Sequence, residues 1–310
     1  MKITMNNNNK TFNDGFEQFI LEHITMNNLR PSTEKHYRDI IKYSWYKYYD
    51  GNNKLCDMTQ DDIDGYTIYM KENNTKDTTI NINLKAMKTI IKFFTNKGYI
   101  DNINVSLIKA DIDVIEAYSD EEISRLLVKP NIRKCSFATY RNWVIVNFLC
   151  NTGCRRSTLI NIHIEDLDLD NGFCQYRHTK NRKKQTVPIT PTMCDILREY
   201  ISYLPNDCEY LFPNVLGNKM MARSLSHAMD DYNDSRGVYR HGIHKFRHWF
   251  AKKSVMCGMD LIRLQKILGH SNLDMLRRYV NILTQDLKYN EIATNPLENI
   301  MRSKSKRIKM

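Results

Sequence analysis

One stretch of strand-like sequence, between residues 167 and 189, interrupts a chain whose other regular patterns have helical spacing. The pair Asn171-Gly172 within this stretch is a strong turn signal for a β-hairpin. The strand-like segments around the pair are Leu167 with Leu169, Phe173 with Gln175, and 186–189. We therefore predict a fold that is mainly α with a small antiparallel β-sheet.

Four helical patterns occupy the first third of the chain. The predicted helices run from Asn13 to about Met26, from Pro31 to Tyr49, from Thr59, and from about Thr78 to Gly98. Pro31 is a residue favoured in the first helical turn, and Thr59 with Asp62 forms a variant of the capping box. Gly98 is a typical residue after a helix end. The aromatic residues around Trp45 are interpreted as packing residues and not as a nucleotide-stacking platform.

A segment without helical periodicity, from about Val105 to Tyr118, separates two regions of regular pattern. Ser119 with Glu122 then forms a capping box that begins the second region. The predicted organisation is a disordered leader at 1–10, a helical domain at 11–106, a linker at 107–118, a second domain at 119–300 and a basic tail at 301–310.

The charge balance favours a polyanionic partner. The 310 residues include 46 Lys and Arg against 35 Asp and Glu, which gives a formal net charge of +11. Five basic residues and no acidic residue lie in 301–310. The other dense cluster consists of Arg177, Lys180, Arg182, Lys183 and Lys184, between two predicted strands. Such a run is usually a solvated loop, but on a hairpin it also makes Arg177, Arg182, Lys183 and Lys184 candidate contacts for a DNA backbone.

Hydropathy and cysteine usage exclude other classes. No apolar run approaches the roughly 20 residues of a membrane-spanning helix, and the first residues have no secretory signal, so we predict a cytoplasmic protein without a membrane partner. The eight cysteines include no CxxC pair. Cys150 and Cys154 lack a second closely spaced ligand pair, so they are interpreted as structural cysteines. No metal site and no cofactor are predicted.

Four separated segments concentrate cationic and nucleophilic side chains. They are Thr152–Leu159 (TGCRRSTL) with Arg155, the hairpin with Lys180, 241–248 (HGIHKFRH) with His244 and Arg247, and 268–279 (LGHSNLDMLRRY) with His270 and Tyr279. His244 and Arg247 are three residues apart and therefore share a helix face. Gly153 and Gly269 allow tight turns at helix ends.

This combination of residues suits attack on a phosphodiester without a metal ion. The guanidinium groups of two arginines can hold the non-bridging oxygens of the phosphate and match the negative charge of a pentavalent transition state. A tyrosine, whose pKa is about 10 when free, needs nearby cations and a base to act as a nucleophile at neutral pH. A lysine can give a proton to the leaving 5′ oxygen.

In order and spacing, the four segments resemble the tyrosine recombinase (phage integrase) family, in its two-domain Xer-like form, over about residues 13–299. The resemblance implies a helical core-binding domain, an α+β catalytic domain, double-stranded DNA with paired core sites as substrate, and a homotetramer in the synaptic complex. It also implies the following roles: Tyr279 forms a 3′-phosphotyrosyl link, Arg155 and Arg247 hold the scissile phosphate, Lys180 is the general acid, His244 is the base or a proton shuttle, and His270 donates to the phosphate.

One position departs from the family pattern, which often has an acidic residue where this chain has Thr158. We expect altered hydrogen bonding around Arg155 and retained activity. His248 is interpreted as structural. No extra amino-terminal arm-binding domain is recognised, which favours a simple recombinase acting on short core sites. The favoured biological role is that of an integrase or transposon recombinase of a mobile element. The alternatives are Xer-type dimer resolution, DNA inversion, a DNA-binding protein without catalysis, and a type IB topoisomerase.

Overall fold

A computed structural model describes residues 10–111, 117–177 and 184–269 of the chain. The chain divides into two compact units, Met1–Val114 and Ile115–Met310. Lys10 is the one residue of the predicted leader that is described, and its carbonyl accepts a hydrogen bond from the backbone N–H of Leu55 at 2.9 Å. The predicted tail at 301–310 lies outside the described residues. The division into leader, domains, linker and tail remains a proposal.

Four α-helices make up most of the described part of the first unit. They are α1 (Phe12–Met26), α2 (Pro31–Tyr43), α3 (Gln60–Glu72) and α4 (Asp77–Asn96), with short 3-10 turns at Trp45–Lys47 and Leu55–Asp57. Pro31 lies in the first turn of α2, and Thr59 and Asp62 form the capping box of α3, as predicted. Gly98 follows the end of α4 with φ of 70°. These starts and stops follow from local sequence because each depends on neighbouring residues.

The second helix is shorter than predicted. The sequence predicted a helix as far as Tyr49, but α2 ends at Tyr43 and a 3-10 turn follows. Trp45 is completely buried in the core of this unit, where its ring stacks on Tyr49 and meets Tyr66 edge-on, each at 4.8 Å between ring centroids. Burial of this large ring overrides the local helical preference. The interpretation of the aromatic cluster as packing is confirmed for Trp45 and Tyr49.

Both ends of the predicted linker make ordered contacts. Val105 is buried in the core of the first unit, and Ile108 packs against that core. Tyr118 is buried in the core of the second unit and donates its hydroxyl to the carbonyl of Arg240 at 3.1 Å. Residues 112–116 lie outside the described ranges. At each described end, residues of this segment therefore pack on the unit to which they belong.

The described part of the second unit contains helices and a three-stranded sheet. The helices are α5 (Asp120–Leu126), α6 (Phe137–Thr152), α7 (Arg156–Leu159), α8 (Pro191–Ile201), α9 (Ala222–Ser235), α10 (His244–Met256) and α11 (Leu261–Leu268), with a 3-10 turn at Ile164–Asp166. The strands are β1 (Leu167–Asp168), β2 (Phe173–Tyr176) and β3 (Gln185–Pro188). They pair antiparallel in the order β1-β2-β3, with Cys174 opposite both Leu167 and Val187. The predicted fold class is confirmed.

Helix α6 forms the centre of the second unit. Val144, Ile145, Phe148 and Leu149 are fully buried, so apolar side chains face inward on more than one side of the helix. Helices α8, α9 and α10 pack around it. Ile243, Phe246 and Phe250, in and beside the 241–248 segment, are all buried. Within the described residues, no helix is long and apolar enough to cross a membrane.

Candidate catalytic site

Two glycine turns frame the candidate site. Gly153 follows α6 and Gly269 follows α11, and both adopt the left-handed conformation with φ of 59° and 62°. A Cβ atom on Gly153 would lie 2.5 Å from the ring of Phe250 and 2.8 Å from Leu268. A Cβ atom on Gly269 would lie 2.5 Å from Oε1 of Gln185. Glycine is required at both positions by conformation and by space.

Arg155 is placed by the first turn and reaches the second. It is the N-cap residue of α7, and its half-buried side chain donates from Nη2 to the carbonyl of Gly269 at 3.1 Å. Loss of surrounding water lowers the pKa of Arg155 from its ordinary value, although the group remains a cation at neutral pH. Among the residues that the structure describes, no carboxylate contacts Arg155. Its charge is therefore partly desolvated and held by a backbone dipole.

Arg247 bridges the two turns. It lies in the first turn of α10 with only 3% of its surface exposed. Its Nη1 donates to the carbonyl of Gly153 at 2.9 Å, and its Nη2 donates to the carbonyl of Leu268 at 2.8 Å. The last carbonyls of a helix have no intrahelical partner and carry the negative end of the helix dipole. The guanidinium groups thus satisfy carbonyls at the ends of α6 and α11.

The two histidines of the HxxRH segment lie beside Arg247. His244 begins α10 and is exposed, while His248 is half-buried one turn later, with 4.6 Å between the ring centroids. Loss of surrounding water, followed by the charges of Arg247 and Arg155, lowers the pKa of His244. Burial, followed by His244 and Arg247, lowers the pKa of His248 to about 4. Both rings are therefore neutral at pH 7, and His244 is accessible as a proton acceptor.

The basic hairpin is described only at its two ends. Arg177 follows β2, where its Nε donates to the buried carboxylate of Asp166 and its Nη1 lies 2.9 Å from Oε1 of Glu165. Lys184 precedes β3 and is exposed. The predicted site residues Lys180, Arg182 and Lys183 lie outside the described ranges. The carboxylate pairing of Arg177 was not anticipated, because nothing in the local sequence marks Asp166 as its partner.

Of the predicted catalytic residues, the structure brings together Arg155, His244 and Arg247, which come from two separate segments. His270 and Tyr279 lie outside the described residues. The described chain ends at Gly269, whose carbonyl is the acceptor for Arg155.

Gln185 is a residue of this site that sequence reasoning missed. It begins β3, and its Nε2 donates to the carbonyls of Lys266 and Ile267 at 2.6 Å each. A lone amide at the start of a strand carries no sequence signal for such a role, since its acceptors lie 81 and 82 residues further along the chain.

Thr158, at the position that departs from the family pattern, is buried, and its N–H donates to the carbonyl of Arg155 at 2.9 Å.

The described residues include no group of three or more His, Cys, Asp or Glu side chains arranged to hold a metal ion. Cys154 and Cys174 are buried free thiols, and burial raises the pKa of Cys154 to about 12. Thiols held in the protonated form are poor metal ligands and poor nucleophiles. Cys154 is buried in the core of the second unit, and its interpretation as a structural cysteine remains a prediction.

Comparisons with known proteins identify the family of this chain. The family model of the phage integrase family matches residues 117–286, which is more than half of the chain. The tyrosine recombinase XerA of Thermococcus kodakarensis is 28% identical over 241 residues, which covers 76% of this chain and 82% of the relative.

Two solved structures share the fold. A Tn1549 transposon integrase in complex with transposon right end DNA has a TM-score of 0.72 and 18% identity, and covers 90% of this chain and 99% of its own. A λ integrase tetramer bound to a Holliday junction has a TM-score of 0.69 and 14% identity, and covers 88% of this chain and 78% of its own.

The chain therefore belongs to the phage integrase family. It is a site-specific recombinase of the tyrosine type, an enzyme that cleaves and rejoins DNA strands.

Proposed function

We propose that Tyr279 attacks a phosphodiester of double-stranded DNA while Arg155 and Arg247 hold that phosphate. One observation carries this assignment. Arg247 donates to the carbonyl of Leu268 at 2.8 Å, and Arg155 donates to the carbonyl of the next residue, Gly269, at 3.1 Å. Two guanidinium groups from distant segments are thus fixed at one turn, directly before His270 in the chain. A phosphate at this turn would meet two cations in a partly desolvated place.

In the proposed reaction, the phenolic oxygen of Tyr279 bonds to phosphorus and the bond from phosphorus to the 5′ oxygen breaks. The phenolic proton passes to His244, whose lowered pKa keeps it neutral and able to accept. Lys180 gives a proton to the leaving 5′ oxygen, and His270 donates a hydrogen bond to the phosphate. The product is a 3′-phosphotyrosyl link and a free 5′ hydroxyl. Rejoining runs the same steps in reverse with a new 5′ hydroxyl.

The proposed substrate is a pair of core sites on duplex DNA, bound by four copies of the chain. Support comes from the likeness to the λ integrase tetramer on a Holliday junction and to the transposon integrase on transposon-end DNA. Lys184, Arg182 and Lys183 are proposed to contact the DNA backbone beside the cleaved phosphate. Arg177 is a weaker candidate for this contact because Asp166 and Glu165 already pair with it.

For the biological role, we propose integration of a mobile element. The likeness to the Tn1549 integrase supports this role, whereas the XerA relative favours dimer resolution as the second candidate. The test places two copies of the target site on one plasmid or on two. Fusion of two plasmids at a rate comparable to that of intramolecular exchange supports integration. Exclusive excision between directly repeated sites supports resolution and contradicts the proposal.

The nucleophile is tested with nicked suicide duplexes, selected by covalent capture on the wild-type protein from a pool of random-sequence DNA. We expect Tyr279→Phe to abolish the covalent protein–DNA product and to retain DNA binding, because the substitution removes only the attacking oxygen. Tyr203→Phe is the matched control, since Tyr203 is an exposed tyrosine of the same unit. A covalent product from Tyr279→Phe at the wild-type rate would show that another residue is the nucleophile.

A further inference from the structure

The end of α11 is held by three side chains from distant parts of the second unit. Gln185 donates to the carbonyls of Lys266 and Ile267, Arg247 donates to that of Leu268, and Arg155 donates to that of Gly269. Four consecutive carbonyls at this helix end thus each accept a side-chain donor, and that of Lys266 also accepts from the backbone N–H of Gly269 at 3.1 Å. Two of the three side chains belong to the proposed phosphate clamp. The third, Gln185, has no role assigned so far.

Gln185 lies where it can connect two parts of the site. Its backbone is fixed in the sheet, where it pairs with Tyr176 of β2. The chain between these paired residues is the basic hairpin that contains Lys180. Its side chain reaches the turn of α11, after which the chain continues to His270 and Tyr279. One side chain therefore links the base of the hairpin to the start of the segment with the nucleophile.

Both the nitrogen and the oxygen of the Gln185 side-chain amide lie close to the turn that ends α11. While Nε2 donates to two carbonyls at 2.6 Å, Oε1 lies so near Gly269 that a Cβ atom there would be only 2.5 Å away. The same hypothetical Cβ would lie 3.5 Å from Nη1 of Arg155. The amide of Gln185 and the guanidinium of Arg155 thus flank Gly269. A shift of this amide would move the carbonyl that aligns Arg155.

We propose that Gln185 is a positioning residue for DNA cleavage, which fixes the turn at Gly269 and thereby the direction of Arg155. This proposal rests on the proposed role of Arg155 as a phosphate ligand. As a positioning residue, Gln185 acts on the rate of the bound complex and leaves DNA affinity unchanged. Small displacements of positioned groups commonly cost about 10- to 100-fold in rate.

The test uses one variant that lacks the donor and one that restores it. Gln185→Met has a similar length but cannot donate to the carbonyls of Lys266 and Ile267. Gln185→Lys keeps a donor and places a cation at a helix C-terminus, where it is favourable. Gln175→Met is the matched control, because Gln175 is an exposed residue of the adjacent strand. The substrate is the selected suicide duplex, with covalent product measured over time at saturating DNA.

We expect Gln185→Met to form the covalent product about 10- to 100-fold more slowly, with unchanged DNA affinity and an unfolding temperature well above the assay temperature. Gln185→Lys regains most of the rate, and Gln175→Met cleaves as the wild type does. A Gln185→Met protein with the wild-type rate overturns the proposal. So does a Gln185→Lys protein that is as slow as Gln185→Met, because the donor would then not be what matters.

Arg155→Ala, assayed in parallel, separates this proposal from the proposed function. If Arg155→Ala cleaves at the wild-type rate, the assigned phosphate clamp is wrong, and with it the reason for positioning Arg155. If Arg155→Ala is inactive and Gln185→Met is fully active, the clamp stands and only the role of Gln185 is refuted.

Discussion

Two arginine environments in the second unit differ in the groups that hold the cation. At the α11 turn, Arg155 and Arg247 donate to backbone carbonyls, which are neutral dipoles. At the end of β2, Arg177 pairs with the carboxylates of Asp166 and Glu165. A carbonyl orients a guanidinium without cancelling its charge, whereas a carboxylate cancels it. At Arg155 the carbonyl leaves positive charge available to an anion, whereas the carboxylates around Arg177 stabilise the fold.

The pKa values of two histidines, His248 and His241, differ between these two kinds of environment. His248, beside Arg247 and His244, has its pKa lowered to about 4 by burial and then by these neighbours. His241 donates to Asp234 at 2.8 Å, and this hydrogen bond raises its pKa. Protonation is therefore unfavourable near the α11 turn and favourable beside a carboxylate. The histidines beside Arg247 therefore add no positive charge at neutral pH.

The largest expected effect separates the two arginine environments. Arg155→Ala should slow formation of the covalent DNA product by about 100-fold or more, because in the proposed reaction it removes a donor to the developing negative charge. Its effect on stability should be about 1 kcal/mol, the net value of one hydrogen bond.

Arg177→Ala should show the opposite pattern. It leaves the buried carboxylate of Asp166 without its ion pair, so we expect a lower free energy of unfolding than that of the wild type. Cleavage at saturating DNA should stay within about threefold of the wild type. Cleavage rates and chemical denaturation of Arg155→Ala and Arg177→Ala test whether the first variant loses mainly activity and the second mainly stability. Equal losses of rate in the two variants would refute the distinction between the environments.

A smaller effect is expected from disturbing the carbonyls themselves. Gly269→Ala adds a methyl group 2.5 Å from Oε1 of Gln185 and also strains the left-handed backbone. We expect a decrease of about 10-fold in cleavage rate, because the displaced turn misaligns Arg155. Gly98→Ala is the matched control, since Gly98 has a similar φ of 70° but nothing within 4 Å of the added group.

For Gly98→Ala, only the conformational cost of about 1 kcal/mol in stability should appear. The measurements are the rate at saturating DNA and the free energy of unfolding of both alanine variants. If the two variants cleave equally well, the geometry of the α11 turn does not control Arg155.

The smallest expected effect concerns pH. The pKa of His248 is about 4 in the folded protein and about 6.5 when unfolded, so the unfolded state binds more protons between these values. Stability from the neutral His248 is therefore fully present above pH 6.5 and is lost as pH falls toward 4. Between pH 7 and pH 5 we expect the wild type to lose about 1 kcal/mol of unfolding free energy. The His248→Asn variant should not show this loss.

The pH dependence of stability that we expect from His241 has the opposite sign. Its pKa is raised in the folded state, so its contribution is present at low pH and is lost as pH rises through the folded value. Unfolding temperatures of His248→Asn and His241→Asn across this pH range check the signs. If the two variants deviate from the wild type in the same direction, the assigned environments are wrong.

Local signals in the sequence predicted much of the framework. The capping boxes at Thr59 and Ser119, and the glycines that end α6 and α11, act through residues a few positions away. The Asn171-Gly172 turn lies between β1 and β2, as predicted. Prediction failed where distant packing decided the outcome, as at Trp45, whose burial ends α2 before Tyr49.

The sequence by itself determined the fold class and the list of candidate catalytic residues. The spacing of His244 and Arg247 places them on one helix face, and the motifs indicate Arg155 and Tyr279 as further candidates. Only the tertiary structure decided the partners of each charge. It gives Arg155 and Arg247 backbone carbonyls, gives Arg177 two carboxylates, and brings Gln185 to the end of α11. The physical reason is range: capping and turn signals act over a few residues, whereas these hydrogen bonds join residues brought together only by packing.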